Sequence, residues 1–262
     1  MSGIGAQPVD TRQGQGHLER PDGARIAYAR RAGAAPTLVW LSGFNSDMSG
    51  TKATALDAWA AACGQGLVRF DYFGHGASTG RFEDGTIGRW RDDTLAVLDH
   101  LTDGPLVLVG SSMGAWMALL AARARPERLA GLLLIAPAPD FTEDLMWAAF
   151  SPATRQRLLR EGRIERPSAY GEPPTPITLR LIEEGRDHLV LRGPLRVPCP
   201  VEILHGTADA DVPVARSLAL LEHLEAPALA LTLVKGGDHR LSTPDDLARL
   251  EATLDRICGA VP

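Results

Sequence analysis

One stretch near the middle of the chain constrains the fold more than any other. Residues 106–109 are four consecutive apolar residues, residues 110–114 read Gly-Ser-Ser-Met-Gly, and residues 115–124 are rich in helix formers. An apolar run without polar alternation is typical of a strand buried on both faces, as in a parallel sheet covered by helices. The two glycines let the strand and helix backbones pack closely, so the turn between them is abrupt and exposes Ser112 above the sheet. The stretch therefore predicts a strand, a sharp turn and a helix, with Ser112 as a nucleophile.

Strand and helix patterns alternate along most of the chain. Strand patterns occur at residues 17–20, 25–31, 37–41, 67–72, 106–109, 129–136, 201–204 and 229–234, the first two as a hairpin at the sheet edge. Helical patterns follow most of them. The sequence therefore predicts an α/β fold with an eight-stranded, mostly parallel sheet that is flanked by helices and opened by an antiparallel hairpin.

An insertion interrupts this alternation after the sixth predicted strand. Three short helical pieces are predicted there, with Thr142, Ser151 and Thr175 as their N-caps. We interpret the insertion as a helical lid that lies over the sheet. The predicted organisation is thus a core and a lid: residues 1–140 and 201–262 for the core, and residues 141–200 for the lid.

Composition and charge exclude several classes of function. The chain has 262 residues and a net charge of −5, which gives no reason to expect nucleic acid or an anionic membrane as a partner. The three cysteines are scattered without the spacing of a metal site, so we expect neither a metal nor an organic cofactor. Residues 1–15 lack the apolar segment of a secretory signal, and no apolar run is long enough to span a membrane. We expect a cytoplasmic protein without stable membrane association, either a monomer or a homodimer.

A serine nucleophile needs a base, and the base needs an acid that orients it. In sheets of this kind the acid and then the histidine follow the serine along the chain. Asp209 and Asp211 both come soon after the strand predicted at residues 201–204. We favour Asp209, because Asp211 lies closer to the next helix and is better placed to cap it. Asp140, just beyond the preceding strand, is a third candidate.

The chain has seven histidines, and position separates them. His239 lies in a glycine-rich loop between the last predicted strand and the last predicted helix, where a base must lie to reach the serine. His239 is therefore the predicted base. His205, at a strand end, and His75, in another glycine-rich turn, are expected to make structural hydrogen bonds.

A tetrahedral oxyanion needs two N–H donors. The backbone N–H of Met113, which follows the nucleophile, is the first predicted donor, and that of Phe44, in the loop after the third predicted strand, is the second. Among the large apolar side chains near these loops, we predict that Trp116, Met146 and Trp147 contact the substrate. The alternative is that these three side chains belong to the core.

The serine turn, Asp209 after His205-Gly206, and His239 together resemble the α/β-hydrolase superfamily. Shorter motifs resemble the branch of acyl-protein thioesterases and acyl-glucuronide esterases, whose animal member is mitochondrial. The resemblance covers residues 24–258 and implies an α/β-hydrolase fold that hydrolyses S-palmitoyl thioesters or acyl glucuronides through an acyl-enzyme on Ser112. The motifs that carry it are Ser42-Gly43-Phe44 with Gly50-Thr51-Lys52-Ala53, Arg69-Phe70-Asp71-Tyr72, Gly110-Ser111-Ser112, and Gly237-Asp238-His239-Arg240.

The sequence thus predicts a serine esterase or thioesterase that acts on a small molecule or an acylated protein. Ser112 attacks the acyl carbonyl, His239 transfers the proton, and Asp209 orients His239. Two alternatives remain open: a hydrolase fold that binds without catalysis, and a C–C bond hydrolase or peptidase that uses the same triad. A dehalogenase or epoxide hydrolase is disfavoured, because those enzymes need a carboxylate at the position of Ser112.

Overall fold

The computed structural model describes residues 14–167 and 174–259 of the chain. Most of residues 1–15, for which the sequence predicts no secretory signal, lie outside the described residues. The strands are β1 (Gly14–Glu19), β2 (Arg25–Arg31), β3 (Ala34–Leu41), β4 (Gln65–Phe70), β5 (Leu106–Ser111), β6 (Leu129–Ile135), β7 (Arg163–Arg166), β8 (Thr175–Thr178), β9 (Leu195–Arg196), β10 (Val201–Gly206), β11 (Leu224–Glu225) and β12 (Leu229–Val234).

Eight of these strands form one sheet in the order β1-β2-β4-β3-β5-β6-β10-β12. The strand β2 pairs antiparallel with β1 and with β4, and all other pairs in this sheet are parallel. This architecture confirms the predicted eight-stranded, mostly parallel sheet. It places β5 near the middle of the sheet, between β3 and β6, so the turn after β5 lies at the centre of the sheet edge.

Helices cover both faces of the sheet. Their bounds are α1 (Thr51–Cys63), α2 (Ile87–Leu101), α3 (Met113–Ala124), α4 (Pro152–Glu161), α5 (Leu179–Gly185), α6 (Ala215–His223) and α7 (Pro244–Gly259). None of the helices in the described part of the chain combines the length and the apolar composition that crossing a bilayer requires.

The position of β5 in the sheet explains why its sequence has no polar alternation. Leu106 and Leu108 pack in the core on the side of α2 and α3, whereas Val107 and Val109 pack in the second core on the side of α1 and α7. All four side chains are fully buried. Because both faces of β5 are covered, every position along it is apolar.

The insertion at residues 141–200 differs from its predicted pattern at two of the three expected N-caps. Ser151 does cap α4, since its hydroxyl accepts a hydrogen bond of 3.1 Å from the N–H of Thr154. Thr142 instead begins a π-helical turn, Thr142–Trp147. Thr175 begins β8, which pairs antiparallel with β7, and the cap of α5 is Thr178. Strand pairing keeps residues 175–178 extended, so the helix begins only after them.

Candidate active site

Ser112 occupies a strained backbone position between β5 and α3. Its φ and ψ angles are 54° and −115°, in a region that side-chain-bearing residues avoid at a cost of about 1–3 kcal/mol. Gly114 is required beside it, because a Cβ atom there would collide with the backbone carbonyl of Leu41. The close approach of α3 to β3 therefore explains the glycine, and the tight turn directs Ser112 into a cavity above the sheet.

The side chain of His239 lies between Ser112 and Asp209. Its Nε2 atom is 3.0 Å from the Oγ of Ser112, and its Nδ1 atom is 2.7 Å from the Oδ2 of Asp209. The carboxylate can only accept, so Nδ1 carries the hydrogen and Nε2 presents a lone pair to the serine hydroxyl. This is the arrangement in which an imidazole removes a proton from a hydroxyl.

The acid and histidine loops meet because β10 and β12 are parallel neighbours whose chains leave the same edge of the sheet. The N–H of Ala208 donates a hydrogen bond of 2.9 Å to the carbonyl of Gly237. The two backbones approach so closely that a Cβ atom on Gly206 would collide with that carbonyl. Glycine at positions 206 and 237 thus allows Asp209 and His239 to reach each other.

The carboxylate of Asp209 is buried and surrounded by donors. Its Oδ1 accepts hydrogen bonds from the N–H groups of Asp211 (2.9 Å) and Val212 (2.8 Å), and its side chain has no exposed surface. Burial raises the pKa of Asp209, but the N–H groups of His205, His239 and Val212 outweigh it and hold the pKa below its ordinary value. Asp209 is therefore the ionised partner of His239.

The two competing aspartates have other partners. Asp140 is fully buried, and its carboxylate accepts hydrogen bonds from the N–H groups of Val190 (2.8 Å) and Leu191 (2.9 Å), at the far end of the insertion. Asp211 contributes its backbone N–H to Asp209, while its carboxylate lies 3.8 Å from the guanidinium of Arg166. Neither replaces Asp209 as the hydrogen-bond partner of His239.

The two predicted oxyanion donors flank Ser112. Met113 is the first residue of α3, and N–H groups in a first helical turn have no acceptor within the helix. Phe44 follows β3 and lines the same cavity as Ser112.

The loop that holds Phe44 is tied down by a buried histidine. The Nδ1 of His75 is 3.1 Å from the carbonyl of Phe73, and its Nε2 accepts a hydrogen bond of 3.2 Å from the N–H of Asn45. Burial lowers the pKa of His75 to about 4, so the ring is neutral near pH 7 and its Nε2 remains an acceptor. His75 therefore fixes the residue next to Phe44, in line with the expectation that it makes structural hydrogen bonds.

A cavity of about 660 Å³ opens over Ser112, and its walls differ in character. One wall is apolar and is formed largely by the insertion. A second, polar wall is formed by the loops after β3 and β12, the end of β7 and the start of α1. The apolar wall includes Phe44, Phe141, Leu145, Met146, Ala149 and Phe150, and the polar wall includes Asn45, Asp47, Lys52, Arg166, Arg240 and Ser242.

Of the three side chains predicted to contact substrate, Met146 lines the cavity and the other two do not. Trp116 is fully buried on α3, where its Nε1 donates a hydrogen bond of 3.0 Å to the carbonyl of His188. Trp147 lies between two guanidinium groups, which are 5.1 and 5.2 Å from its ring. The prediction that these two indoles face the site is therefore wrong. Trp116 points from α3 into the core, and Trp147 belongs to the π-helical turn, whose altered rotation redirects its side chain.

Several cavity residues were not singled out by the sequence. Phe141, Leu145 and Ala149 are spaced four residues apart, a spacing that places side chains on one helical face. That periodicity is the signal that identifies them. Lys52, by contrast, belongs to the Gly50-Thr51-Lys52-Ala53 motif of the sequence. It donates hydrogen bonds to the carbonyl of Arg240 and to the hydroxyl of Ser242, and burial lowers its pKa to about 8.

One group in the described part of the chain places enough ligand atoms together to hold an ion. It consists of Asp209, Asp211 and His239, whose ligand atoms lie within 4.8 Å of one another. The carboxylate of Asp209 and the Nδ1 of His239 are already hydrogen-bonded to each other. We therefore interpret this group as the triad and its loop, and assign no metal to it.

Comparison with known proteins shows the family of the chain. Residues 38–250 match the family described as "Alpha/beta hydrolase family". The mouse protein named "Palmitoyl-protein thioesterase ABHD10, mitochondrial" is 37% identical over 241 residues, which cover 92% of this chain and 81% of that protein. The human protein of the same name is 36% identical, over 92% of this chain and 78% of that protein.

These relatives contradict the expected cytoplasmic location. The mouse and human proteins both carry the word mitochondrial in their names. The expectation of a cytoplasmic protein was wrong because it relied on cysteine usage, the lack of a long apolar run, and residues 1–15 reading neither as a secretory signal nor as an Arg-rich amphipathic presequence. Those properties do not specify a compartment.

Solved structures show the same fold. A crystal structure from Agrobacterium vitis S4, described as a hydrolase, has a TM-score of 0.90 and 44% identity, covering 94% of this chain and 99% of that one. The structure of mouse alpha/beta hydrolase domain-containing protein 10 has a TM-score of 0.88 and 35% identity. The match covers 95% of this chain and 100% of that one. By sequence, fold and family match alike, this chain belongs to the alpha/beta hydrolase family.

Proposed function

We propose that this protein is a serine hydrolase that cleaves carboxylic thioesters and esters through an acyl-enzyme on Ser112. The observation that carries the proposal is the continuous contact from Ser112 through His239 to Asp209, at 3.0 and 2.7 Å. An isolated serine hydroxyl is a weak nucleophile, and an adjacent base that is oriented by an acid activates it.

The reaction runs in two halves that use the same groups. The Oγ of Ser112 bonds to the acyl carbon while the Nε2 of His239 takes the hydroxyl proton. His239 then gives that proton to the leaving sulfur or oxygen as the bond to the acyl carbon breaks. Water, deprotonated by His239, attacks the acyl-enzyme and releases the carboxylic acid and free Ser112. Throughout, Asp209 keeps the imidazole in the required orientation.

The backbone N–H groups of Met113 and Phe44 are the proposed donors to the oxyanion that forms in each half. The position of Met113 at the start of α3 supports the first, and the anchoring of Asn45 by His75 supports the second. Removal of such a donor in other enzymes costs about 3 kcal/mol of transition-state stabilisation.

The substrate we propose is a long acyl chain on a thiol or alcohol, carried by a protein or a small molecule. Relatives at 36–37% identity are named palmitoyl-protein thioesterases. The cavity volume of about 660 Å³ lies within the range of about 300–1,000 Å³ typical of small-molecule sites. We propose that residues 141–200 act as a lid whose apolar wall, including Met146, holds the acyl chain.

The test compares an S-palmitoylated peptide with p-nitrophenyl acetate and p-nitrophenyl palmitate. We expect turnover of the thioester and a preference for the long ester. Met146→Trp places a larger side chain on the apolar wall and so reduces the space in the cavity. We expect it to lower kcat/KM for the palmitoyl substrates on the order of tenfold and to change kcat/KM for p-nitrophenyl acetate little. Trp147→Phe, one residue along but outside the cavity, is the matched control. Rapid acetate hydrolysis with no thioester turnover would contradict the proposed substrate.

A further inference from the structure

A second histidine lies directly behind the triad acid. His205 is at the end of β10 and has no exposed surface. Its Nδ1 is 2.7 Å from the Oγ of Ser217 on α6, and its Nε2 is 2.9 Å from the carbonyl oxygen of Val212. The same Nε2 lies 3.3 Å from the Oδ2 of Asp209. His205 therefore contacts both ends of the acid loop.

The partners of His205 determine which nitrogen carries its hydrogen. The Val212 carbonyl only accepts hydrogen bonds, so the hydrogen is on Nε2. The Nδ1 lone pair then accepts from the Ser217 hydroxyl. In this neutral tautomer a single N–H faces both the Val212 carbonyl and the Asp209 carboxylate, and Ser217 selects that tautomer.

The acid loop is thus held from two sides. On one side, the N–H groups of Asp211 and Val212 donate to the Oδ1 of Asp209. On the other side, Oδ2 lies between the Nδ1 of His239, at 2.7 Å, and the Nε2 of His205, at 3.3 Å. The outer oxygen of the carboxylate thus lies within 3.3 Å of two imidazole nitrogens.

We propose that His205 is a positioning residue, whose Nε2–H, oriented by Ser217, holds the acid loop so that the carboxylate of Asp209 meets His239. This inference rests on the proposed function of the triad. His205 touches neither the substrate nor the serine, and it acts through Asp209 alone.

The arrangement has an electrostatic consequence that a purely structural role lacks. The N–H of His205 compensates part of the charge on Oδ2. Its removal leaves more negative charge facing the imidazolium of His239 and so stabilises that cation. The acid limb of the kcat/KM profile, which reports the ionisation of the base, then moves to higher pH.

Other charged groups surround the triad and remain unchanged in the variants below. They come from α1, β7, the acid loop and the histidine loop: Lys52, Arg166, Asp211, Asp238 and Arg240. A difference between wild type and a His205 variant therefore reports the loss of the His205 N–H.

The experiment measures kcat/KM for a p-nitrophenyl ester from about pH 5 to about pH 9 in wild type, His205→Leu, His205→Gln and Ser217→Ala. We expect His205→Leu to lose about tenfold in kcat/KM, because the carboxylate of Asp209 loses a neighbouring N–H donor, and to move the acid limb to higher pH. The glutamine amide retains a donor near the Nε2 position. His205→Gln is therefore expected to keep both kcat/KM and the pH of the acid limb near the wild-type values. Ser217→Ala is expected to lower kcat/KM and to move the acid limb to higher pH, each by less than in His205→Leu.

Each outcome is decisive. A folded His205→Leu protein with the wild-type rate and profile overturns the inference, and so does a lower rate without movement of the acid limb. If the leucine variant does not fold, a Ser217→Ala profile identical to wild type overturns it. Labelling of the wild type by a fluorophosphonate is measured in parallel. A folded wild type without labelling overturns the proposed function itself, whereas a labelled wild type with unmoved variants overturns only the role of His205.

Discussion

Three histidines near the site have different tasks because their neighbours differ. His239 lies between a hydroxyl and a carboxylate, so its two nitrogens have different roles. His205 and His75 each donate to a backbone carbonyl and accept from a second group. At the scale of single residues, hydrogen-bond partners rather than residue type decide which histidine can act as a base.

The two aspartates of the acid loop offer a matched pair. Asp209→Asn keeps the shape of the side chain but removes the charge that orients His239, and we expect kcat to fall about 10⁴-fold. Asp211→Asn, two residues away, is expected to retain most of the activity, because its link to the triad is through its backbone N–H. Steady-state kinetics with p-nitrophenyl butyrate measure both. Equal losses in the two variants would contradict the assignment of Asp209 as the acid.

The buried ring of His75 is expected to make the folding stability depend on pH. The pKa of His75 is lowered from 6.5 to about 4, so the unfolded chain binds a proton between these values while the folded protein does not. Folding stability therefore falls as the pH drops from about 6.5 to about 4, by about 3 kcal/mol from this group. The variant His75→Gln does not ionise, and we expect its urea unfolding to lose about 3 kcal/mol less than wild type over that interval. Equal losses in the two proteins would show that His75 is not buried in its neutral form.

At the scale of elements, the insertion is anchored to the sheet at both ends. The carboxylate of Asp140, just after β6, accepts the N–H groups of Val190 and Leu191, where the insertion returns. In the middle of the insertion, Thr175 of β8 accepts a hydrogen bond of 3.2 Å from the side chain of Asn45. The apolar wall that the insertion adds to the cavity is thus tied both to the core and to the loop of Phe44.

Asp140→Asn tests the anchor. An amide oxygen replaces only one of the two carboxylate oxygens, leaving a buried N–H without its acceptor, and we expect the free energy of unfolding to fall by about 1–3 kcal/mol. Labelling of Ser112 by a fluorophosphonate should remain near the wild-type rate, since Asp140 does not contact His239. Asp99→Asn, which breaks a surface pair with Arg125, is the control and is expected to change stability by less than about 1 kcal/mol. Loss of labelling in a folded Asp140→Asn protein would instead favour Asp140 as a member of the catalytic group.

The sequence predicted those features that follow from local pattern and chain order. The apolar run of β5 and the two glycines around Ser112 are local requirements of a buried strand and a tight turn, so the sheet and its central turn could be predicted. Long-range packing decided the rest. Thr175 looks like a helix cap in isolation, yet pairing with β7 keeps it in a strand. Trp116 follows the serine turn on α3 and Trp147 lies in the insertion, but which way each indole points depends on neighbouring elements that the sequence does not show.

For the whole molecule, the fold explains how residues far apart in the chain meet. The strands β5, β10 and β12 end at the same edge of the sheet, and Ser112, Asp209 and His239 follow them. The order of the strands brings the three side chains together, and the insertion and the loops around them form the walls of the cavity. Hydrolysis at this site therefore requires that Ser112 is a nucleophile activated by His239.

Intact-protein mass spectrometry after treatment with a fluorophosphonate tests that claim most directly. We predict a single covalent adduct on wild type that maps to Ser112, no adduct on Ser112→Ala, and labelling of His239→Ala that is slower by orders of magnitude. Circular dichroism establishes that each variant is folded. A folded wild type that gains no adduct, or an adduct that persists on Ser112→Ala, would contradict the claim.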